Sequence, residues 1–364
     1  MDKRIWQHYD VVLLGSLVLL LIYGVAVIYS ASHTIDKVKD SAVRQAVFAL
    51  LGLGAGLIVT AIDYRLLDAF SIPLYVLVVV LLLAVFVIGQ VTFNAQRSID
   101  LGVVNLQPSE VSKPLLIIVL AAFLAKRAEG DHQPLFTLLF SALLVGVPVI
   151  LIYREPDLGT SLVLIFIWLA LIFASGIPLI YLGFIFGGGL AAIPLLWLSM
   201  EDYMRRRIVT FVNPASDPQS YYNIQQALYA IGSGGWFGKG YLQGTQSQLH
   251  FLLVQHTDFV FAVLCEELGI VGALALFALL VAVLLRTLHA ARLARDTFGR
   301  LLCTGVAAWI LIQCVVNIGM NLSLLPVTGL PLPFISYGGS SLMTLLAAMG
   351  LVQSVRLRHR KIEF

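Results

Sequence analysis

From Gly244 to Gly269 the chain reads GTQSQLHFLLVQHTDFVFAVLCEELG, a polar stretch that leaves Asp258 at the water edge of a long apolar segment. An ionised carboxylate carried to the middle of a bilayer helix costs about 2.5 to 3.5 kcal/mol on insertion scales, so a sequence keeps one near lipid for a reason. A carboxylate so placed suits general-base chemistry. It also suits a plainer task, capping the helix that starts there. Glu266 and Glu267, further along the same helix, read as structural carboxylates. His256 reads as a hydrogen-bonding loop residue, because no second His or carboxylate stands at metal-ligand spacing.

Other residues of unusual type cluster in short stretches. In QPSEVSK, Pro108 can start a helix, and Glu110 and Lys113 lie three residues apart on one side of it, as a self-neutralising pair or as an intramembrane functional site. In REPDLGTS, Asp157 follows a proline and precedes an apolar helix, a place that fits an N-cap as well as a binding role. Arg205, Arg206 and Arg207 form a run open to two readings, headgroup-facing charge or diphosphate binding. In LPVTGLPLPFISYGGSS, Pro326, Pro331, Pro333, Gly338 and Gly339 forbid a continuous helix, and such backbone is tolerated at membrane depth only where protein buries it or it lines a wet cavity.

The elements that must position these groups follow from composition. With 59% hydrophobic residues, 12% charged residues and a mean hydropathy of +0.93, the chain reads as an integral membrane protein. Apolar stretches of the length that a bilayer core requires recur at 11–30, 45–62, 72–92, 108–125, 134–153, 158–175, 178–199, 259–285, 301–323 and 336–355. The expected fold is all-α and polytopic: about ten transmembrane helices with a large extracellular loop, 200–258, between the seventh and eighth. The first segment follows Lys3 and Arg4 but is too long for a cleaved signal, and it reads as a retained anchor. With an inside N-terminus, cytoplasmic segments hold thirteen Lys and Arg against five in the short outer loops, which places both termini in the cytoplasm.

A net charge of +3 reflects that basic rim, suits anionic lipid headgroups and gives no argument for nucleic acid. Cys265, Cys303 and Cys314 sit inside expected helices without CxxC spacing, so neither a disulfide framework nor a zinc site is suggested. No linker or repeat divides the chain, which reads as one transmembrane domain over 1–364. Within the long loop, QSYYNIQQALYAI has the spacing of an amphipathic helix lying on a membrane surface. IGSGGWFGKG offers a bent, close-approaching backbone but no P-loop, since Gly240 follows Lys239 where Ser or Thr is needed. The loops 93–107, 153–157, 200–258 and 324–335 fall on one face and hold nearly all the polar groups singled out.

QPSEVSK, EPDLGTS, AIGSGGWFGKG with GTQSQL, QHTDFVFAVLCEELG and LPLPFISYGGSS resemble, in order, the signature stretches of the SEDS family (shape, elongation, division and sporulation). The likeness runs from the first helix to the last, and GTQSQL with the AQR…DLG loop resembles the elongation branch more than the division branch. It implies a membrane peptidoglycan glycosyltransferase that polymerises lipid II on the outer face of the bacterial cytoplasmic membrane. The family's catalytic aspartate falls on Asp258, and its other motif positions fall on Glu110, Lys113 and Asp157. Two departures stand out: Leu253 and Val254 replace the proline and glutamate common before the HTD segment, and Ser98 replaces a tryptophan. The missing glutamate weakens any mechanism that needs a second carboxylate beside Asp258.

On that reading Asp258 takes the proton of an acceptor sugar hydroxyl, with His256 and Thr257 beside it in the binding site. Lys113, Arg97, Arg154, Arg205, Arg206, Arg207 and Lys239 are candidate cations for the leaving lipid diphosphate, with a divalent ion, Mg or Mn, as a possible helper. The resemblance implies as partners a class B penicillin-binding protein, MreC and MreD. The rival from another class is a flippase for the lipid-linked precursor, which would arrange charges along a path through the membrane.

Overall fold

The computed structural model describes residues 8–35, 38–92, 95–100, 105–128, 130, 133–249 and 251–359. The helices run in the order α1 (Val11–Ser32), α2 (Ser41–Ala61), α3 (Leu66–Ala69), α4 (Ser71–Ile88), α5 (Pro108–Ala128), α6 (Pro134–Arg154) and α7 (Leu158–Ala174). They continue with α8 (Leu179–Ser199), α9 (Asp202–Val212), α10 (Pro218–Ser233), α11 (Thr245–Gln248), α12 (Val260–Leu293), α13 (Thr297–Asn321) and α14 (Gly339–Leu357). Every expected apolar segment coincides with a helix. Among the described residues eight helices, α1, α2, α4, α5, α6, α12, α13 and α14, are long and apolar enough to cross a membrane. Helix α7, at 17 residues, is shorter, as is the apolar Gly183–Pro194 stretch of α8.

Local chemistry sets several of the ends. Asp10 caps α1 by accepting from the Leu13 amide at 3.0 Å, and Asp296 caps α13 by accepting from the Gly299 amide at 2.7 Å. Pro108 and Pro134 open α5 and α6, where a missing N–H costs nothing. Helix α5 is the centre of the bundle, 83% buried over its most apolar window, with α13 and α14 at 72%; α4, at 17%, lies on the periphery. Helices α2 and α14 approach so closely that a Cβ on Gly350 would sit 2.3 Å from the Gly56 carbonyl oxygen, a small-residue crossing suited to lipid, where packing replaces the hydrophobic effect.

Two features depart from the expected all-helical plan. The loop before α5 folds into an antiparallel sheet of β1 (Gln90–Thr92), β2 (Ala95–Asp100) and β3 (Asn105–Leu106), with Gln90 opposite Ser98 and Ile99 opposite Leu106. The third apolar segment therefore ends at Ile88 rather than 92, because hydropathy alone cannot tell a short β-branched run from the end of a helix. Helix α12 runs on to Leu293 but breaks at Gly269, where φ is 64° and ψ is −162°. The glycine-rich segment after α10 fits into that break: Lys239 and Gly240 amides donate to the Glu266 and Glu267 carbonyls at 2.9 and 3.0 Å, and the Ile270 and Val271 amides donate to the Gly235 and Trp236 carbonyls at 3.0 and 3.1 Å. The exchange supplies partners for backbone that the kink frees, as membrane depth requires. A Cβ on Gly238, whose φ is +77°, would lie 2.1 Å from the Glu267 carbonyl oxygen, so only glycine fits there.

Candidate functional site

Asp258 lies two residues ahead of α12, in a turn that starts at Val254, whose φ is +55°. Neighbouring elements clamp the main chain of this turn. The Asp258 carbonyl accepts from Asn321 Nδ2 at 3.0 Å and from Asn317 Nδ2 at 3.4 Å, both on α13. The Thr257 carbonyl accepts from Ser336 Oγ at 2.6 Å, and the His256 carbonyl accepts from the Tyr337 amide at 3.0 Å. The Asp258 side chain therefore hangs from a fixed base into a groove of about 380 Å³, walled by Tyr203, Arg206 and Arg207 of α9, Asn223 and Ile224 of α10, and Val327.

Burial in that groove pushes the Asp258 carboxyl above its ordinary range, while the positive charge of Arg207 and the Thr257 hydroxyl pull it partly back. Arg207 is itself held, donating to the Val327 carbonyl at 3.1 Å with its guanidinium 4.5 Å from the Tyr203 ring centroid. A carboxylate with raised proton affinity beside the fixed Arg207 guanidinium can accept a proton and steady an anion in one place. Asp217 and Asp258 are the carboxylates among the groove's lining residues, fewer ligands than a protein-built cage for a divalent ion uses. Among the described residues no group of three or more His, Cys, Asp or Glu is gathered that could hold a metal ion.

The other loops converge on the same groove through contacts that link one to the next. Arg97 on β2 donates to the Glu155 carbonyl at 3.0 Å, to the Pro156 carbonyl and to the Tyr203 hydroxyl at 3.5 Å. Gly159, at the start of α7, packs so closely that a Cβ there would lie 3.0 Å from Leu330 and 3.2 Å from the Thr328 carbonyl oxygen. Gly329, between them, faces Asp258 Oδ2, with 3.7 Å to its own Cβ position.

Not every candidate meets at the groove. Asp157 accepts from the Thr160 amide at 3.0 Å and the Thr160 hydroxyl at 2.8 Å, which makes it the N-cap of α7. Arg205 donates to the Trp197 and Leu198 carbonyls at 3.0 and 2.8 Å, joining α9 to the end of α8. Lys239 pairs with Glu266 at 2.8 Å and does not line the groove; Glu266 also accepts from the Thr245 hydroxyl and the Gln246 and Ser247 amides. Glu267 accepts from Ser30 Oγ at 2.5 Å and Gln248 Nε2 at 3.2 Å. Arg154 is exposed at the end of α6. His256 is half-buried against the Tyr337 ring, and burial lowers its pKa; Thr257 Oγ1 donates to the Val254 carbonyl at 3.3 Å. Glu110 and Lys113 form a fully buried ion pair at 2.5 Å in the first turns of α5, with Lys113 Nζ 5.5 Å from the Trp309 ring centroid.

Residue type and spacing alone do not single out Glu155. It is buried with neither carboxylate oxygen hydrogen-bonded, and burial with Asp157 nearby pushes its pKa to about 8 against the pull of Arg97. Its signal was present in REPDLGTS, as a carboxylate two residues from another. Asn317 and Asn321 carry a fainter signal, a four-residue polar spacing in an apolar helix that marks a buried face.

The family described as cell cycle protein, grouping FtsW, RodA and SpoVE, matches residues 10–361. The chain belongs to this family. It is 40% identical to the peptidoglycan glycosyltransferase MrdB of Escherichia coli K12, over 99% of this chain and 97% of that protein. To the probable peptidoglycan glycosyltransferase FtsW of Trichlorobacter lovleyi it is 37% identical, over 96% and 93%. Among solved structures, a chain of a peptidoglycan synthase complex that coordinates polymerisation and crosslinking superposes with a TM-score of 0.83 at 31% identity, covering 96% of this chain and 98% of that one. The Thermus thermophilus rod shape determining protein RodA superposes at 0.73 with 32% identity, over 96% and 97%. Membership accounts for the helical membrane fold of this SEDS chain.

Proposed function

We propose that this SEDS protein is a peptidoglycan glycosyltransferase that joins lipid II units into glycan strands during cell elongation. The observation that carries the reading is Asp258, a carboxyl of raised proton affinity in a groove shared with Arg206 and Arg207. In the reaction the acceptor sugar hydroxyl attacks the anomeric carbon of the donor, and the bond from that carbon to the diphosphate oxygen breaks with its electron pair. The hydroxyl proton passes to Asp258. Attack opposite the leaving group inverts the centre, from an α-linked diphosphate to a β-linked glycan. Arg207 and Arg206 stabilise the departing lipid diphosphate, where scarce water strengthens charge-assisted bonds. Arg97 acts at one remove, holding the 155–156 turn and Tyr203 against the groove.

The whole chain acts as one transmembrane unit in the cytoplasmic membrane, termini inside, with the 200–258 segment and its groove on the outer face. A class B penicillin-binding protein supplies the crosslinks to the strands made here; the solved relative that coordinates polymerisation and crosslinking within one complex supports that pairing. MreC and MreD complete the expected assembly.

The test gives purified protein labelled lipid II and scores polymer for the natural chain and for Asp258→Asn. Polymer from the natural chain alone is expected. Equal polymer from both refutes the base assignment, and lipid movement without polymer from either points to the flippase.

A further inference from the structure

Helix α13 carries Trp309, Gln313, Asn317 and Asn321 at four-residue intervals, a spacing that stacks them along one slowly turning stripe, and all four are buried. Contacts fix both ends of the stripe. At one end the Trp309 ring lies under Lys113; at the other Asn321 and Asn317 hold the Asp258 carbonyl.

The register between α5 and α13 places the middle. A Cβ at Gly305 would lie 2.7 Å from Ile117, and one turn on along α13 Trp309 meets Lys113, one turn back along α5. The pair is antiparallel, so a further turn brings Gln313 level with Ser109 and Glu110.

Buried polar atoms without hydrogen-bond partners recur along this register: Glu110 Oε2, both amide atoms of Gln313 and, one turn away, the Trp309 indole Nε1. Their chemistry is complementary. The indole and the amide nitrogen donate, while the carboxylate and the amide oxygen accept. Buried polar groups are seldom left unpaired, and ordered water completes a set whose direct contacts fall short. A purely structural position would be filled as well by methionine, which has similar volume and no polar demand.

We propose that Gln313 is a positioning residue for glycosyl transfer: with Asn317 and Asn321 it forms a polar, water-bridged column that joins the Glu110–Lys113 pair to the main chain of Asp258. The task of the column is geometric, holding the Asp258 carboxyl at one depth in the groove. The inference rests on reading Asp258 as the base.

The test compares the full-length natural chain with Gln313→Met, Gln313→Asn and Asp258→Asn. It measures lipid II polymerisation, melting temperature, and amide hydrogen exchange in 254–260 and in α2. For Gln313→Met the expectation is a fall in kcat of about tenfold or more with KM changed by less than about twofold. Melting should be undiminished, with exchange faster in 254–260 and unchanged in α2. Gln313→Asn keeps an amide that one water can extend, and it should retain most of the rate. A methionine variant with natural kcat and natural exchange at 254–260 overturns the proposal, as does a variant that melts early with faster exchange throughout, or an asparagine variant no better than methionine. If Asp258→Asn still polymerises, the base assignment falls, and the exchange at 254–260 judges the column by itself.

Discussion

The guanidinium of Arg207 shares a groove with the Asp258 carboxyl and offsets part of the burial that holds that carboxyl above its ordinary value of 3.8. A base works only when deprotonated, so polymerisation should rise with pH along a limb displaced upward from the usual aspartate range. Arg207→Ala removes the offset and should move that limb to higher pH, whereas Arg207→Lys should move it less. Profiles of kcat against pH for the three proteins read this directly, and a limb unmoved in Arg207→Ala would detach the arginine from the titrating group.

Glu155 makes a stability prediction with a definite sign. Its folded pKa of about 8 stands above the ordinary 4.5, so between those values the folded chain keeps a proton that the unfolded chain releases. The stability it contributes is full below about pH 4.5 and is lost as pH rises towards 8. Glu155→Gln should therefore leave the melting temperature nearly unchanged at pH 4.5 and raise it most above pH 8. Thermal melts in detergent across that span measure the difference.

The Glu110–Lys113 pair is buried on both sides, so removing one partner strands the other. Lys113→Met should destabilise the protein by about 3 to 5 kcal/mol, the usual cost of an uncompensated buried charge. The double variant Glu110→Gln with Lys113→Met should recover most of that loss in denaturant titrations. If it recovers polymerisation too, the pair serves stability alone.

Lys239 is engaged by Glu266 at 2.8 Å, away from the groove. Lys239→Met should lower the melting temperature, because it loosens the glycine-rich segment against the break in α12. The KM for lipid II should stay within about twofold of the natural value, since no diphosphate contact is lost. A large rise in KM with unchanged melting would return Lys239 to the substrate site.

Much of the fold was legible because hydropathy and capping act over a few residues. Each apolar segment became a helix, and the prolines and the glycine of 324–335 led to irregular backbone packed beside Asp258. Period and hydropathy do not separate strand from helix in a stretch as short as Gln90–Thr92, which forms β1. The amphipathic spacing of 219–231 marks a helix on a membrane surface, whereas Ala227 and Ala230 are buried in the protein core.

At the site, sequence named the charged groups and left their partners open. Asp157 and Arg205 are engaged within their own or adjacent elements, and Lys239 with a carboxylate 27 residues on. Asn321 reaches Asp258 across 63 residues. No local pattern encodes such a choice, because a buried cation binds whichever acceptor the packed backbone presents.

Composition, spacing and caps, set by neighbours along the chain, determined by themselves a polytopic helical membrane protein, the approximate course of its helices and the short polar stretches that interrupt them. Which carboxylates are shielded, which arginines share space with Asp258 and which amides hold its main chain were decided only by tertiary structure. Burial and hydrogen bonding depend on groups brought together from distant segments, and those groups meet only once the bundle has closed.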